Sequence, residues 1–265
     1  MSNDKITAAT AGADVLRDTN WAGRLRRLDT VVSTQEEAKL LAEKGVPEGT
    51  AVMAEEQTGG RGTRGRRWHS PKGKGIWMSV VLRPAIPLQS TPQLTLLAGV
   101  AVCSAIRKLT GVEAGIKWPN DLLARGRKLC GILLESNVGP GGLQYAIAGI
   151  GISANLSEED YPAELRNNAT SLLIEGGMPV DREQLAAEVL RELDYHYKLY
   201  MDQGLKPIAR LWEEQSVTLG RRIGLKTPQG WLEGTAVGLG EDGGLLLRAD
   251  NGSVTSVCSG EITLI

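Results

Sequence analysis

The sequence predicts an α+β fold: a mixed, mostly antiparallel sheet with helices on one side, followed by a small SH3-like β-barrel. Three observations lead there. Apolar runs at Ala51 to Ala54, Ile76 to Leu82 and Tyr145 to Asn155 have the length of strands. Leu94, Leu97, Ala98, Ala101, Val102, Ala105 and Leu109 recur at helical spacing and make one apolar stripe on a long helix. From Val217 to Ile265 short apolar runs alternate with turn signals at Thr227 to Gly230, Glu241 to Gly244 and Asn251-Gly252, the pattern of a small all-β unit.

In chain order, Met1 to Ala22 is polar and rich in alanine and threonine, and is expected to be a mobile segment too short for a DNA-binding module with its own core. Leu25 to Val32 reads as a strand. The stretch STQEEAKLLAEKG carries a helix start, Ser33-x-x-Glu36, and a stop at Gly45. On these grounds Ser33 and Thr34 are capping residues. Ile76 to Leu82 is apolar on both faces, as in a covered strand, and Pro84 and Pro87 end it. Gly115 to Glu135 reads as a short strand meeting Pro119, a polar Asn120-Asp121 turn, a basic hairpin tip and an apolar strand. In Tyr145 to Asn155, Gly149 and Gly151 recur at period two, so one face lacks side chains and a ligand can approach the backbone. Ser153 and Asn155 continue that face. Asp181 opens an amphipathic helix that ends at Gly204, and a second begins at Pro207. The expected units are residues 1–22, 23–215 and 216–265.

Composition narrows the classes. The 265 residues are 42% hydrophobic and 23% charged, enough for a substantial core in a soluble chain. No stretch approaches the ~20 apolar residues of a membrane span, and the first 20 lack a signal-peptide core, so a cytoplasmic protein with no membrane partner is expected. Cys103, Cys130 and Cys258 are an odd number without C-x-x-C and read as reduced packing residues. With only His69 and His196, no zinc cluster assembles and no metal-ligating residue is identified. A serine or cysteine triad is poorly supported for the same reason.

The chemistry concentrates in Gln57 to Gly75, QTGGRGTRGRRWHSPKGKG. Glycines let backbone N–H groups converge on an anion, and arginine forks match phosphate oxygens. No Asp or Glu occurs from Gln57 through Val112, although the whole chain has formal charge -1. Gly60 to Gly65 spells G-x-G-x-x-G, but Pro71, Gly73 and Gly75 exclude the helix that a dinucleotide fingerprint must open, and no acid follows until Glu113. Neither a P-loop nor the protein-kinase motif set occurs. A solvated basic loop and a cradle for RNA backbone stay open. Lys117, between Ile116 and Trp118, is costly there unless a structural acid or a ligand anion pairs with it.

GRGTRGRRWHSPKGKGIWMS, KWPND followed by KLCGILLE, GIGISANL and NATSL resemble biotin protein ligases in order and approximate spacing, and the resemblance runs from about Leu25 to the C-terminus. It implies a catalytic domain similar to those of class II aminoacyl-tRNA synthetases and lipoate ligases. The activity implied is ATP-dependent formation of biotinyl-5′-AMP, then transfer of biotin to a lysine of a biotin carboxyl carrier protein, with Mg2+ accompanying ATP. Carried over residue by residue, Ser33, Thr34 and Gln35 lie against the ureido ring, with Gln35 where Asn is usual. Gln57, Arg61, Gly62, Thr63 and Trp68 contact the intermediate, and Arg64 and Arg66 offset polyphosphate charge. Lys117 pairs with the carboxylate, Asn120 and Asp121 orient nucleotide and metal, and Gly149, Gly151 and Asn155 line the ligand. Lys117, Arg61 and Arg64 are the expected catalytic residues. Thr63 and Ser153 depart from the usual Arg and Asn. The resemblance also implies no sequence-specific DNA binding, because repressor-type relatives carry a further module, and leaves a homodimer open. A lipoate or octanoate ligase and a non-enzymatic nucleic-acid binder are the rival readings.

Overall fold

The computed structural model describes residues 19–227 and 230–265. Most of the expected mobile segment, and Pro228 and Gln229 of one expected turn, lie outside the described residues. Seven strands, β1 (Leu25–Val31), β2 (Ala51–Gln57), β3 (Gly75–Leu82), β4 (Gly115–Lys117), β5 (Asp121–Ala124), β6 (Arg127–Gly139) and β7 (Gly142–Ser153), form one sheet in the order β1-β2-β3-β7-β6-β5-β4. Only β1 and β2 pair in parallel, because helix α1 (Thr34–Glu43) carries the chain back between them. The other pairs are antiparallel.

Strand alternation decides which face each helix covers. Met53, Met78, Val80, Ala148 and Ile150 point into the main core beneath α2 (Gln93–Thr110), α4 (Arg182–Gln203) and α5 (Leu205–Gln215). Val52, Val81, Tyr145 and Ile147 point the other way and meet Ala38 and Ala42 of α1. The expected helical layer is therefore α2, α4 and α5, while α1 stands on the opposite face. With both faces covered, every residue of β3 is buried. A one-turn helix, α3 (Leu172–Gly176), is capped by Ser171. Helix α1 is capped by Ser33, whose hydroxyl accepts from Gln35 N–H, and Glu36 of the start signal faces Arg61.

β8 (Arg222–Thr227), β9 (Gly230–Leu239), β10 (Leu245–Arg248), β11 (Val254–Val257) and β12 (Glu261–Leu264) form a second sheet, all antiparallel, in the order β11-β10-β9-β8-β12. Its apolar face, including Ile223, Leu225, Ala236 and Leu245, joins the main core. Polar contacts add to that seam: Gln93 donates to the Asp242 carbonyl at 3.1 Å, and Glu213 accepts the Leu239 N–H at 3.0 Å.

Candidate active site

The glycine-rich segment leaves β2 as a tight hairpin. Arg61 and Arg67 form an isolated antiparallel bridge, Gly62 N–H donates to the Arg66 carbonyl at 2.7 Å, and Trp68 N–H donates to the Gly60 carbonyl at 2.9 Å. At Gly60 a Cβ would stand 2.7 Å from the Ser70 hydroxyl, so only glycine fits. Arg64, at φ 60, turns the tip.

Beneath this hairpin lies a cavity of about 250 Å³, walled by the start of α1 and by β3, β6 and β7. Its closed end is a buried polar chain. Gln57 Oε1 accepts the Thr34 N–H at 2.9 Å and the Thr34 hydroxyl at 3.1 Å, and Gln57 Nε2 donates to the Ser70 hydroxyl at 3.0 Å. The Thr34 and Ser79 hydroxyls lie 2.9 Å apart, and Ser79 donates to Gln35 Oε1 at 3.0 Å. Gln35 Nε2 donates to the Ile147 carbonyl at 3.2 Å. Two hydroxyl protons thus serve three contacts, and oxygen lone pairs are in surplus. The closed end accepts hydrogen bonds, and it suits a ligand head that offers N–H groups. Ser33, Thr34, Gln35 and Ser79 are all at most 3% exposed, so a bound head would be out of water.

The glycine face of β7 is not left bare. Gly151 pairs with Gly131 of β6, and a Cβ on either would strike the Trp68 indole, at 2.5 and 2.9 Å. Gly149 gives its space to Gln35, whose Oε1 would lie 2.5 Å from a Cβ there. The small residues therefore seat two side chains of this chain, which in turn line the cavity.

A second cavity, of about 390 Å³, opens between the Lys117 to Asp121 turn, α2 and the second sheet near Cys258 to Ile262. The two cavities share Thr63, Arg66, Asn120, Lys128 and Ile132, so they are two lobes of one site. Lys128 stands at the junction. Its ammonium lies 5.2 Å from the centre of the Trp68 ring and 2.6 Å from Asp121. Sequence reading passed it over. The available signal was a lysine opening an otherwise apolar strand, KLCGILL, in the same pattern that drew attention to Lys117.

Most of the residues singled out in sequence come together here. Ser33, Thr34, Gln35, Gln57, Arg61, Gly62, Trp68, Gly149 and Gly151 line the first lobe, Thr63, Arg66 and Asn120 line both, and Lys117, Arg64 and Asp121 line the second. Lys117 is half-buried and does not reach the first lobe. Asn155 is not brought in. Its amide clasps Val180, donating to the carbonyl at 2.9 Å and accepting the N–H at 2.8 Å, a structural role that sequence could not separate from a ligand contact. The segment after β7 closes the first lobe with Tyr161, Leu165, Asn168 and Ala169. His69 Nε2 meets the Asp160 carbonyl at 2.8 Å, and Lys74 pairs with the Asp160 carboxylate at 2.9 Å.

The basic run is largely neutralised from elsewhere in the chain. Arg61 lies 3.5 Å from Glu36 and 3.6 Å from Glu135. Arg64 and Arg66 share Glu261 of β12 at 2.6 and 2.8 Å, and Lys72 pairs with Asp29 at 2.7 Å. Burial alone would raise the Glu261 carboxyl, but Arg66, Arg64 and Lys117 outweigh it and hold it below the usual carboxylate range. Three cations of the second lobe thus face one protein carboxylate, which is a place for a polyanion rather than a broad field for a nucleic acid. Among the described residues no cluster of three or more His, Cys, Asp or Glu could cage a metal ion. Asp121 lines the second lobe beside Asn120 and is paired with Lys128 of the shared wall, and a Mg2+ ion fits here as the companion of a polyphosphate.

Comparison with known proteins shows the relatives of this chain. Residues 29–153 match the biotin/lipoate A/B protein ligase family, and residues 218–264 match the biotin protein ligase C terminal domain. The bifunctional ligase/repressor BirA of Bacillus spizizenii is 43% identical over 236 residues, covering 89% of this chain and 72% of that protein. The biotin--[acetyl-CoA-carboxylase] ligase of Mycobacterium tuberculosis is 34% identical, covering 89% and 88%. Among solved structures, the biotin protein ligase of Aquifex aeolicus in complex with biotin and ATP superposes with a TM-score of 0.79 at 33% identity, covering 92% of this chain and 99% of that one.

Proposed function

The chain belongs to the biotin protein ligases, and we propose that it activates biotin with ATP as biotinyl-5′-AMP and passes the biotinyl group to a lysine of a biotin carboxyl carrier protein. The acceptor-rich closed end carries the choice of acid. A ureido ring offers two N–H donors to the surplus lone pairs of Thr34 and Ser79, whereas a lipoyl or octanoyl chain offers none and would leave that polar chain desolvated and unmet.

In the first step a biotin carboxylate oxygen attacks the α-phosphorus, the bond to the β-phosphate bridge breaks, and pyrophosphate leaves with the electron pair. Lys128, at the junction of the lobes, is suited to hold the carboxylate and then the charge that develops between carbonyl and phosphate. Lys117, Arg64 and Arg66 lie on the phosphate side, where leaving-group charge grows. This moves the central cation from Lys117, where the sequence motif points, to Lys128. Arg61 and Thr63 roof the lobes, and Trp68 packs between the glycines and Lys128, which keeps water from the anhydride. Mg2+ supplies charge neutralisation on the phosphates when bound, with Asp121 the carboxylate placed to meet it. In the second step the neutral lysine amine attacks the carbonyl, AMP leaves with the electron pair, and the amine gives up a proton.

The proposed partner is the carrier domain of acetyl-CoA carboxylase or a related carboxylase, in the cytoplasm, where ATP is available and buried thiols such as Cys103 and Cys130 stay reduced. We also propose a division near residue 216, supported by the change from the seven-stranded to the five-stranded sheet. Pyrophosphate exchange with biotin, lipoate or octanoate tests the reading: exchange should require biotin, and exchange driven by lipoate alone would overturn it.

A further inference from the structure

The strand that bears Lys117 is a short edge strand. β4 has three residues and lies at the edge of the sheet, paired with β5 on one side only. The chain then turns at once into Pro119, which has no N–H to donate, so the Trp118 N–H is the last backbone donor before Asn120. On the inner side the turn is tied to its own sheet: Asn120 Nδ2 donates to the Ile132 carbonyl at 2.8 Å, and Ile132 N–H donates to the Asn120 carbonyl at 2.9 Å.

The outer side is tied by the segment that leads into the second sheet. Ser216 bridges Ile116 in parallel, and Val217 N–H donates to the Ile116 carbonyl at 3.0 Å. Val217 also occupies the space of the missing side chain of Gly115, where a Cβ would collide with it. Thr218, fully buried, accepts the Trp118 N–H on its hydroxyl at 3.0 Å. Thr218 is itself held, because the Ser216 hydroxyl accepts both the Thr218 N–H at 3.1 Å and the Leu219 N–H at 3.3 Å.

We propose that Thr218 is a positioning residue for adenylate formation: its hydroxyl, delivered by the start of the C-terminal unit, fixes the Trp118 backbone and so aims Lys117 and Asn120 at the nucleotide. The proposal rests on the ligase reading above. It gives the C-terminal unit a part in the chemistry through one buried hydrogen bond, with no contact between Thr218 and substrate. Misaiming a charged group by a fraction of an ångström costs rate more than affinity when the group serves the transition state. The closed end that holds the biotin head is built from α1, β2 and β3 and does not share this anchor.

The test compares Thr218→Val, which keeps the shape and loses the acceptor, with Thr218→Ser, which keeps the acceptor, in the full chain. Biotin-dependent pyrophosphate exchange should show kcat down about tenfold in Thr218→Val with KM for biotin within about twofold, and Thr218→Ser close to wild type. The Trp118 amide should exchange with deuterium faster in Thr218→Val than in Thr218→Ser. An unchanged kcat in Thr218→Val overturns the proposal. So does equal loss in both variants, or a loss shared by kcat, biotin affinity and melting temperature, which would mark a merely structural residue. Should Thr218→Val fail to fold, Thr218→Ala set against Thr218→Ser makes the same contrast. Wild type that exchanges pyrophosphate without regard to biotin would sink the ligase reading instead, while the Trp118 amide would still report whether the anchor exists.

Discussion

The two ends of the ligand cavity solve opposite problems. At the closed end, Thr34, Gln35 and Ser79 are buried, Gln57 is half-buried, and all four are uncharged and bonded into one chain that ends on a backbone carbonyl. At the mouth, Arg61, Arg64 and Arg66 are about half exposed and paired with equally exposed carboxylates, Glu36, Glu135 and Glu261. A fixed network costs nothing to reorganise when a polar, uncharged head arrives, and it rejects heads that cannot complete it. Surface ion pairs are worth little, so they can be exchanged for phosphates as charge moves through the reaction. Selectivity should therefore reside where side chains cannot move, and catalysis where they can.

That contrast breaks first at the junction. Lys128→Ala should lower adenylate formation by about a hundredfold to a thousandfold, with Lys117→Ala somewhat less severe, since a preorganised cation at the reacting centre has no substitute in water. Pyrophosphate exchange in folded variants measures it; near-normal exchange by Lys128→Ala would return the central role to Lys117 or refute both.

At the closed end, Gln57→Leu removes the acceptor that orders Thr34 and the donor to Ser70. The expected result is a KM for biotin raised about tenfold or more, with kcat nearly kept. A fall in kcat at unchanged KM would show that the closed end also acts in the transition state.

Thr63 tests whether the mouth holds the intermediate. Its hydroxyl accepts from Arg66 at 3.1 Å, and the neighbouring Arg64 is turned to Glu261 and lines only the second lobe. Arg64 is thus poorly placed to replace an arginine at position 63. Thr63→Arg should slow escape of biotinyl-AMP by about tenfold, the worth of one charge-assisted contact, and reduce stray labelling of a bystander such as serum albumin. Stopped-flow dissociation with no change would make the threonine functionally silent.

The smallest effect belongs to the Glu261 pair. Its carboxyl is held below the usual range, so its contribution is present above the ordinary carboxylate pKa and is lost as pH falls through the depressed folded value. Glu261 and its two arginine partners are each about half exposed, so Glu261→Gln should change overall stability little. It should instead raise proteolytic cleavage within Gly62 to Arg66, to the level that wild type reaches in acid; equal cleavage of both proteins at neutral pH would mean that the hairpin holds itself.

What the sequence determined by itself was whatever depends on local pattern. The strand over Ile76 to Leu82, the long helix through Leu94 to Leu109, the cap at Ser33 and the helix opened by Asp181 are written in neighbouring residues and appear where the pattern puts them, although Leu109 is exposed and Leu96, Val100 and Cys103 are buried beside the stripe. The motif set likewise marked the loop from Gln57, the turn at Lys117 and the glycines of β7. Long-range pairing decided the rest. Asn155 and Ser153 look alike as polar ends of one strand, yet Ser153 lines the cavity and Asn155 clasps Val180, because only the folded chain brings residue 180 to residue 155. Lys117 and Lys128 look alike as lysines in apolar strands. Antiparallel pairing of β5 with β6, and the Trp68 indole lying on Gly131 and Gly151, put Lys128 at the junction and leave Lys117 in the second lobe. Charge shows the same limit: a stretch of 56 residues from Gln57 through Val112 without an acid reads as a free positive field, but its cations find Asp29, Glu36, Glu135, Asp160 and Glu261 in space. Coulomb's law acts on distance through space, and sequence separation is a poor measure of that distance once a sheet has formed.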